Sequence, residues 1–393
     1  MPAVFLGGAR QVGKTTLAKH LVSEGVLHAY FTFDNLLTLE SAQNDPVGFV
    51  RALPEGSVLD EVQRAPELLL PLKQRIDEER KSGMFLLTGS ANPLTLPQVA
   101  DALVGRVGMV NLYPLSQGEI DGVREGWLAR AFDGRFEIRT VAPSEDIWTR
   151  VLRGGYPSAV QMPELAQSRA WLQAYADALI TREVQQLSNI ERMGDLARLL
   201  RLLCARACQI LNTASLSREM GVPHSTLQRY LTLLETLMVF HRLRPWHANI
   251  GQQFLKSPKI VINDTGLIAA LLMLDAARLQ SEEWMRGRIL ENFVAMEILK
   301  QLSYTDSGHQ FYHFRTVKGR DIDLLIEDAQ GRIVGVEVKA AHTVSAGDFQ
   351  HLRWLAQALG TRWAGGVVLH LGAEQVPFGE NLWAVPIACL WEP

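Results

Sequence analysis

Along the first 120 residues, short apolar runs alternate with stretches whose apolar residues recur at helical spacing. The runs fall at Ala3–Leu6, Lys14–Ser23, His28–Phe33, Ser57–Asp60, Pro66–Lys81 and Met84–Thr88. This alternation predicts a parallel sheet with crossover helices. Residues 125–212 carry few strand signals and read as helices, broken at Arg153-Gly154-Gly155-Tyr156-Pro157. From Thr213 a short helix ends at Gly221-Val222-Pro223. A second runs from about His224 to Leu237, with Leu227, Leu231, Leu234 and Met238 on one face. That is a helix-turn-helix pattern. Two β-rich runs, Val239–Arg244 and Phe254–Ile262, flank a polar loop with Asn249 and Gly251 and would form a wing. A helix over about Trp284–Gln301 leads into strands at Gln310–Phe314, Ile322–Ile326 and Ile333–Val338, a helix at Ala346–Ala358 and a strand at Arg362–Leu371. This reading divides the chain at 1–125, 126–195, 196–262 and 263–393.

Composition narrows the class. At about 150 residues per domain, 393 residues imply two or three domains. Apolar residues at 47% and charged residues at 21% exclude a disordered chain, a collagen-like repeat and a coiled-coil rod. The longest apolar stretch, Leu267–Leu274, falls far short of the roughly 20 residues that span a bilayer, so no transmembrane helix is expected. The start, MPAVFLGGARQ, lacks the features of a signal peptide and predicts a cytoplasmic protein. Cys204, Cys208 and Cys389 suggest neither a disulfide framework nor a zinc site, and Cys204 and Cys208 are expected on one helix face in the core.

The formal net charge of −3 hides an asymmetry. Between Leu196 and Lys259 lie Arg198, Arg201, Arg206, Arg218, Arg229, Arg242, Arg244, Lys256 and Lys259, against only Glu219 and Glu235. This basic block could meet a polyanion or could be a solvated helical surface.

Gly8-Ala-Arg-Gln-Val-Gly13-Lys14-Thr15-Thr16 satisfies the P-loop pattern directly after an apolar strand and directly before a helix. The glycines, Gly8 and Gly13 among them, let backbone amides wrap a β-phosphate at a helix N-terminus. Lys14 reaches the β/γ-phosphates and the Thr15 hydroxyl is a ligand for magnesium. ATP and Mg2+ are the expected cofactors. Val58-Leu59-Asp60-Glu61 has the form of a Walker B strand, with Asp60 holding the magnesium and Glu61 polarising the attacking water. The strand ending at Thr88 delivers Gly89-Ser90-Ala91-Asn92 to the same edge, where Ser90 or Asn92 could sense the γ-phosphate.

These residues resemble the bacterial and archaeal AAA-like P-loop ATPases that carry a C-terminal domain of uncharacterised function, the DUF4143 type. The resemblance rests on Gly8–Thr16, Leu59-Asp-Glu-Val-Gln63 with Pro66 and Leu69, Leu87-Thr-Gly-Ser90, Gly105-Arg106, Pro114-Leu115-Ser116 and Gly154-Gly155-Tyr156-Pro157. It continues through Thr226-Leu-Gln-Arg-Tyr-Leu231 and into the tail, nearly the whole chain. One departure is the position of Met1, only seven residues before Gly8, where the family is expected to carry a further segment that helps enclose the adenine. The resemblance also points to Arg106 as an arginine finger acting on a neighbouring subunit, with Arg150, Arg153 and Arg182 as competitors.

With Leu227, Leu231 and Leu234 facing the core, the second helix of the helix-turn-helix presents His224, Ser225, Gln228, Arg229 and Thr232 outward. Gln228 and Arg229 are base-edge or phosphate readers by type. In the tail, Asp323 closes a strand and Glu337-Val338-Lys339 follows on the next, with Glu337 and Lys339 on one face because strand side chains alternate. This looks like the PD-(D/E)xK nuclease constellation, in which Asp323 and Glu337 hold a divalent metal and Lys339 helps to activate water. Glu291 would be a further ligand, and Asp321 projects on the face of Asp323.

The expected fold is α/β: a P-loop NTPase parallel sheet (1–125), a helical lid or linker (126–195), a winged helix (196–262) and a restriction-endonuclease-like domain (263–393). Three functions are open at this point. One is an ATPase acting as a conformational switch coupled to DNA binding. Another is an ATP-gated, metal-dependent DNA nuclease. The last is a regulatory scaffold with an inactive nuclease fold, contacting a protein partner or further copies of itself.

Overall fold

The computed structural model describes residues 1–89, 105–141, 146–187, 193–247, 257–305, 308–316 and 319–393, and the side chains of 182–187 and 193 lie outside that description. Ser90, Asn92, the loop with Asn249 and Gly251, Lys256 and the Arg182 side chain therefore lie outside the described residues. The chain forms two compact units, Met1–Tyr113 with Thr236–Met238 and Pro114–Glu235 with Val239–Pro393.

The first unit is built on five strands: β1 (Ala3–Gly8), β2 (Ala29–Thr32), β3 (Ser57–Asp60), β4 (Phe85–Thr88) and β5 (Val107–Leu112). They are all parallel, in the order β2-β3-β4-β1-β5. Side-chain alternation sends Phe5, Leu59 and Leu87 to one face, where Leu68, Leu72 and Ile76 pack on them. It sends Leu6, Val58 and Leu86 to the other face, against Ala18 and Leu21 of the helix Lys14–Ser23. Covered on both faces, β3 and β4 are buried throughout, and each large apolar side chain so buried contributes about 1.5–3 kcal/mol. The parallel register carries the ends of β1, β3 and β4 to one edge, so Gly8, Asp60 and Thr88 lie together where open α/β sheets bind ligands. The hydrophobic pattern does not predict β5. It is an edge strand with Met109 and Val110 exposed, and so lacks the apolar run that marks the central strands.

The second unit contains a mixed nine-stranded sheet. Its strands are β6 (Arg139–Thr140), β7 (Phe240–Pro245), β8 (Lys259–Ile262), β9 (Gln310–Arg315), β10 (Asp321–Glu327), β11 (Ile333–Lys339), β12 (Trp363–His370), β13 (Glu374–Gly379) and β14 (Leu382–Pro386). Their order is β6-β13-β14-β12-β11-β10-β9-β7-β8. β10 and β11 form an antiparallel pair, and β11 continues into parallel β12 through the helix Gln350–Leu359. Leu352 and Leu355 of that helix pack with Ile322, Leu325, Ile333 and Val368.

Two arrangements differ from the sequence reading. The β7–β8 pair is antiparallel as expected of a wing, but β7 also pairs with β9 at Arg244 and Pro245, so it forms the margin of the C-terminal sheet. The helical stretch, the helix pair and the C-terminal sheet accordingly share one compact unit. Cys204 is buried in the helix Met193–Ala205, whereas Cys208 lies beyond that helix in a left-handed conformation, so the two do not share a helix face.

The Gly154-Gly155 pair has a structural explanation. The Leu115 amide donates to the Gly155 carbonyl at 2.8 Å, and the Gly155 amide donates to Asp264 Oδ2 at 2.7 Å. Asp264 also caps the helix Thr265–Leu271 through the Leu267 amide. Gly154 has φ +72°, and a Cβ there would stand 2.2 Å from Asp264 Oδ1. Gly154→Ala should therefore push out the capping carboxylate and destabilise the unit by at least about 2 kcal/mol. A thermal melt of the variant superimposable on the wild type would refute this.

Candidate functional sites

The P-loop leaves β1 at Gly8, whose backbone approaches β5 so closely that a Cβ would meet the Leu112 carbonyl at 2.5 Å. The loop turns through left-handed Gln11 and Gly13 and enters the helix Lys14–Ser23. The Lys14 ammonium is buried and donates to the Gly8 and Ala9 carbonyls at 2.8 and 2.9 Å. Thr15 Oγ1 donates to Asp60 Oδ2 at 3.0 Å, while Thr16 follows on the same helix.

Asp60 is 2% exposed. Besides Thr15, it accepts from the Tyr30 hydroxyl at 2.5 Å and from the Thr88 hydroxyl. Burial first, and then the Asp60 carboxylate, raises the Tyr30 phenol above its usual range. Sequence reasoning singles out neither Tyr30 nor Thr88 as a site residue. Each ends or lies within a strand, and only the sheet order shows that their hydroxyls converge on Asp60. Glu61 follows in a left-handed conformation uncommon outside glycine, with its amide donating to Thr88 Oγ1 at 3.2 Å and its carboxylate accepting from the Gln63 amide. The structure thus brings together Gly8, Gly13, Lys14, Thr15, Asp60 and Glu61.

It does not bring Arg106 to them. Arg106 precedes β5, and the parallel register sets the start of β5 beside Ala3 and its end beside Gly8, at opposite ends of the sheet. The guanidinium makes a bidentate pair with Asp77, at 2.6 and 2.9 Å, and the Arg106 hydrogen bond holds the Asp77 carboxyl below its usual range. In the second unit Arg150 is buried against Gln117 and Asp121, at 3.0 and 3.1 Å, and Arg153 donates to the Pro163 carbonyl.

The helix His224–Thr236 buries Leu227, Tyr230, Leu231 and Leu234 and exposes His224, Ser225, Arg229 and Thr232, with Gln228 half-buried. Gln228 Nε2 lies 3.3 Å from the His224 ring. Part of the basic block is spent internally: Arg198 donates to the Glu219 carbonyl, Arg206 pairs with Glu219, Arg242 with Glu235 and Lys259 with Glu291. Arg201, Arg218 and Arg229 remain exposed.

A cleft of about 390 Å³ in the C-terminal sheet is lined by Arg288, Glu291, Asp321, Asp323, Glu337 and Lys339, among others. Asp323 Oδ2 accepts from the Val338 amide at 2.9 Å, fixing it to β11. Burial, then the Asp323 charge, pushes the Glu337 carboxyl up to about 9, and the same two causes push Glu291 up to about 8. Lys339 Nζ lies 4.0 Å from Glu337 and 3.6 Å from Asp348. The residue that sequence reasoning misses is Lys259, which pairs with Glu291 at 2.5 Å and lies 3.8 Å from Asp323 Oδ1. In the sequence it stands only as one member of the basic block. Among the described residues, no three His, Cys, Asp or Glu side chains are grouped to hold a metal ion, although Asp323, Glu337 and Glu291 line the same cleft.

Residues 1–121 match the AAA domain family model. Residues 144–278 match one domain of unknown function (DUF8612) and residues 286–390 another (DUF4143). Uncharacterized protein Rv2008c of Mycobacterium tuberculosis is 29% identical over 386 residues, covering 98% of this chain and 80% of its own length. Uncharacterized protein Mb2031c of Mycobacterium bovis gives the same figures. Among solved structures, the Walker-type ATPase PABY2304 of Pyrococcus abyssi is similar over 69% of this chain and 91% of its own, at 17% identity and a TM-score of 0.40. With its P-loop at the edge of a parallel sheet, this chain belongs to the AAA-like P-loop ATPases that carry a DUF4143 C-terminal domain. Among the described residues no helix is long and apolar enough to cross a membrane.

Proposed function

We propose that this chain binds ATP with magnesium and hydrolyses it as a conformational switch coupled to DNA binding. The observation that carries the ATPase reading is the Thr15 hydroxyl 3.0 Å from the Asp60 carboxylate, beside a P-loop lysine that donates to carbonyls of its own loop. Two hard oxygen donors side by side suit magnesium, and Thr15 and Asp60 would hold it. When bound, magnesium neutralises charge on the phosphates. Lys14 exchanges the Gly8 and Ala9 carbonyls for phosphate oxygens, and the amides from Gly8 to Thr16 receive the β-phosphate. Glu61 orients and polarises water, its carboxylate aimed by Gln63 and its amide held by Thr88. The pairing of Arg106 with Asp77 favours a structural role for that arginine.

The coupling to DNA rests on the helix pair. The exposed His224, Ser225, Arg229 and Thr232 lie opposite a buried leucine face, as a recognition helix requires, and the β7–β8 pair supplies a wing. In the C-terminal sheet, Asp323 and Glu337 on an antiparallel pair, continued by a helical crossover to β12, support a restriction-endonuclease-like fold.

Lys14→Ala should abolish nucleotide binding or hydrolysis, and Glu61→Gln should keep binding while cutting turnover by at least about tenfold. Unchanged turnover in Lys14→Ala would remove the ATPase assignment. Replacing Gln228 and Arg229 together by alanine should weaken DNA binding by about 1–3 kcal/mol for each side chain that reads a base edge, or flatten its salt dependence if Arg229 meets phosphate alone. Anisotropy isotherms identical to wild type at two salt concentrations would place the DNA-binding surface elsewhere.

A further inference from the structure

Carboxylates that are buried side by side need a proton or a counter-cation. In the C-terminal cleft the letters Asp323, Glu337 and Lys339 suggest a divalent metal, yet a cation, Lys259, already meets Asp323 and Glu291 from an adjoining cavity of about 410 Å³. Lys259 opens β8, and its backbone is clamped between two partners. Leu243 faces it on β7, and Ile210 bridges it on the other side. Around it the Cys208 amide donates to the Ile260 carbonyl at 2.7 Å, the Ile260 amide to the Gln209 carbonyl at 2.8 Å and the Leu211 amide to the Pro258 carbonyl at 2.8 Å. This ladder fixes the point from which the lysine side chain reaches the carboxylates.

Its side chain is 11% exposed, and the ammonium reaches Glu291 Oε1 at 2.5 Å, the Asp323 carbonyl at 3.3 Å and Asp323 Oδ1 at 3.8 Å. The remaining Asp323 oxygen, Oδ2, is occupied by the Val338 amide. Lys339 stands between Glu337 and Asp348, at 4.0 and 3.6 Å. A divalent ion bound by Asp323 and Glu291 would sit within about 4 Å of the ammonium, a like-charge approach that is strongly unfavourable in a partly buried site. Magnesium would also need near-octahedral oxygen coordination at about 2.1 Å, and Asp323 Oδ2 already accepts from the Val338 amide.

We propose that the Lys259 ammonium takes the place of a divalent cation beside Asp323 and Glu291, so that the C-terminal unit keeps the nuclease letters but binds no metal through them and cuts no phosphodiester.

The test is a Mn2+ titration of the full chain without nucleotide, reading the free-ion signal by electron paramagnetic resonance. Asp60→Asn is present throughout to silence the P-loop site, so the outcome does not depend on the ATPase reading. With Lys259 in place, Mn2+ should stay free up to millimolar concentration. Lys259→Met should bind about one Mn2+ per chain at least tenfold more tightly, and Glu291→Gln added to it should remove that binding. The proposal is overturned if the Lys259-containing protein binds one Mn2+ that Asp323→Asn abolishes, or if folded Lys259→Met gains no binding. Should Lys259→Met fail to fold, the titration of the Lys259-containing protein decides alone.

Discussion

The first unit depends on one buried carboxylate. Asp60 ends β3 with almost no access to water, and such a group persists only when hydrogen bonds or a cation meet its charge. The structure supplies three hydroxyls from three elements: Thr15 from the helix after the P-loop, Tyr30 from β2 and Thr88 from β4. These elements come together only because β2, β3 and β4 are adjacent and parallel and because the P-loop returns along the same edge. The sheet order is thus the condition for the site, and the site in turn pins the register of the strand ends.

The two buried lysines show how similar groups serve different ends. Lys14 donates to backbone carbonyls of its own loop, neutral acceptors that a phosphate can replace at little cost. Lys259 is paired with a carboxylate, lies close to a second and stands on a backbone fixed from both sides. The first arrangement is poised to exchange partners. The second is closed, since removing either ion would leave the other buried and unpaired. A P-loop lysine ready for a ligand and a cleft lysine that excludes one follow from the same desolvation argument applied to different partners.

Much of this was legible in the chain. The P-loop and Walker B segments announce themselves because a glycine pattern and an apolar strand ending in carboxylates are local signals, and the elements at Lys14–Ser23 and Ser57–Asp60 fall where periodicity placed them. What failed was whatever depends on distant pairing. β5 and β13 carry exposed or proline-interrupted stretches without a strong alternation. The β7–β8 pair could be read as a hairpin, but its junction with β9 joins residues far apart in the chain, Arg244 with Tyr312. Tyr30 and Thr88 look like ordinary strand residues until the sheet order puts them beside Asp60. Lys259 likewise reads only as charge in a basic block, since nothing local shows that it faces Glu291 and Asp323.

If Asp60 is the point at which the proposed nucleotide site is organised, its hydroxyl partners must tune the magnesium it would hold. The direct measurement is fluorescent-ATP binding across a magnesium titration, in the wild-type chain and in Tyr30→Phe, which removes the hydroxyl at 2.5 Å and little else. Affinity should rise with magnesium in the wild type, and the variant should need about tenfold more magnesium to reach the same half-saturation, as outer-shell substitutions commonly do. Superimposable curves, or binding that ignores magnesium altogether, would contradict the account.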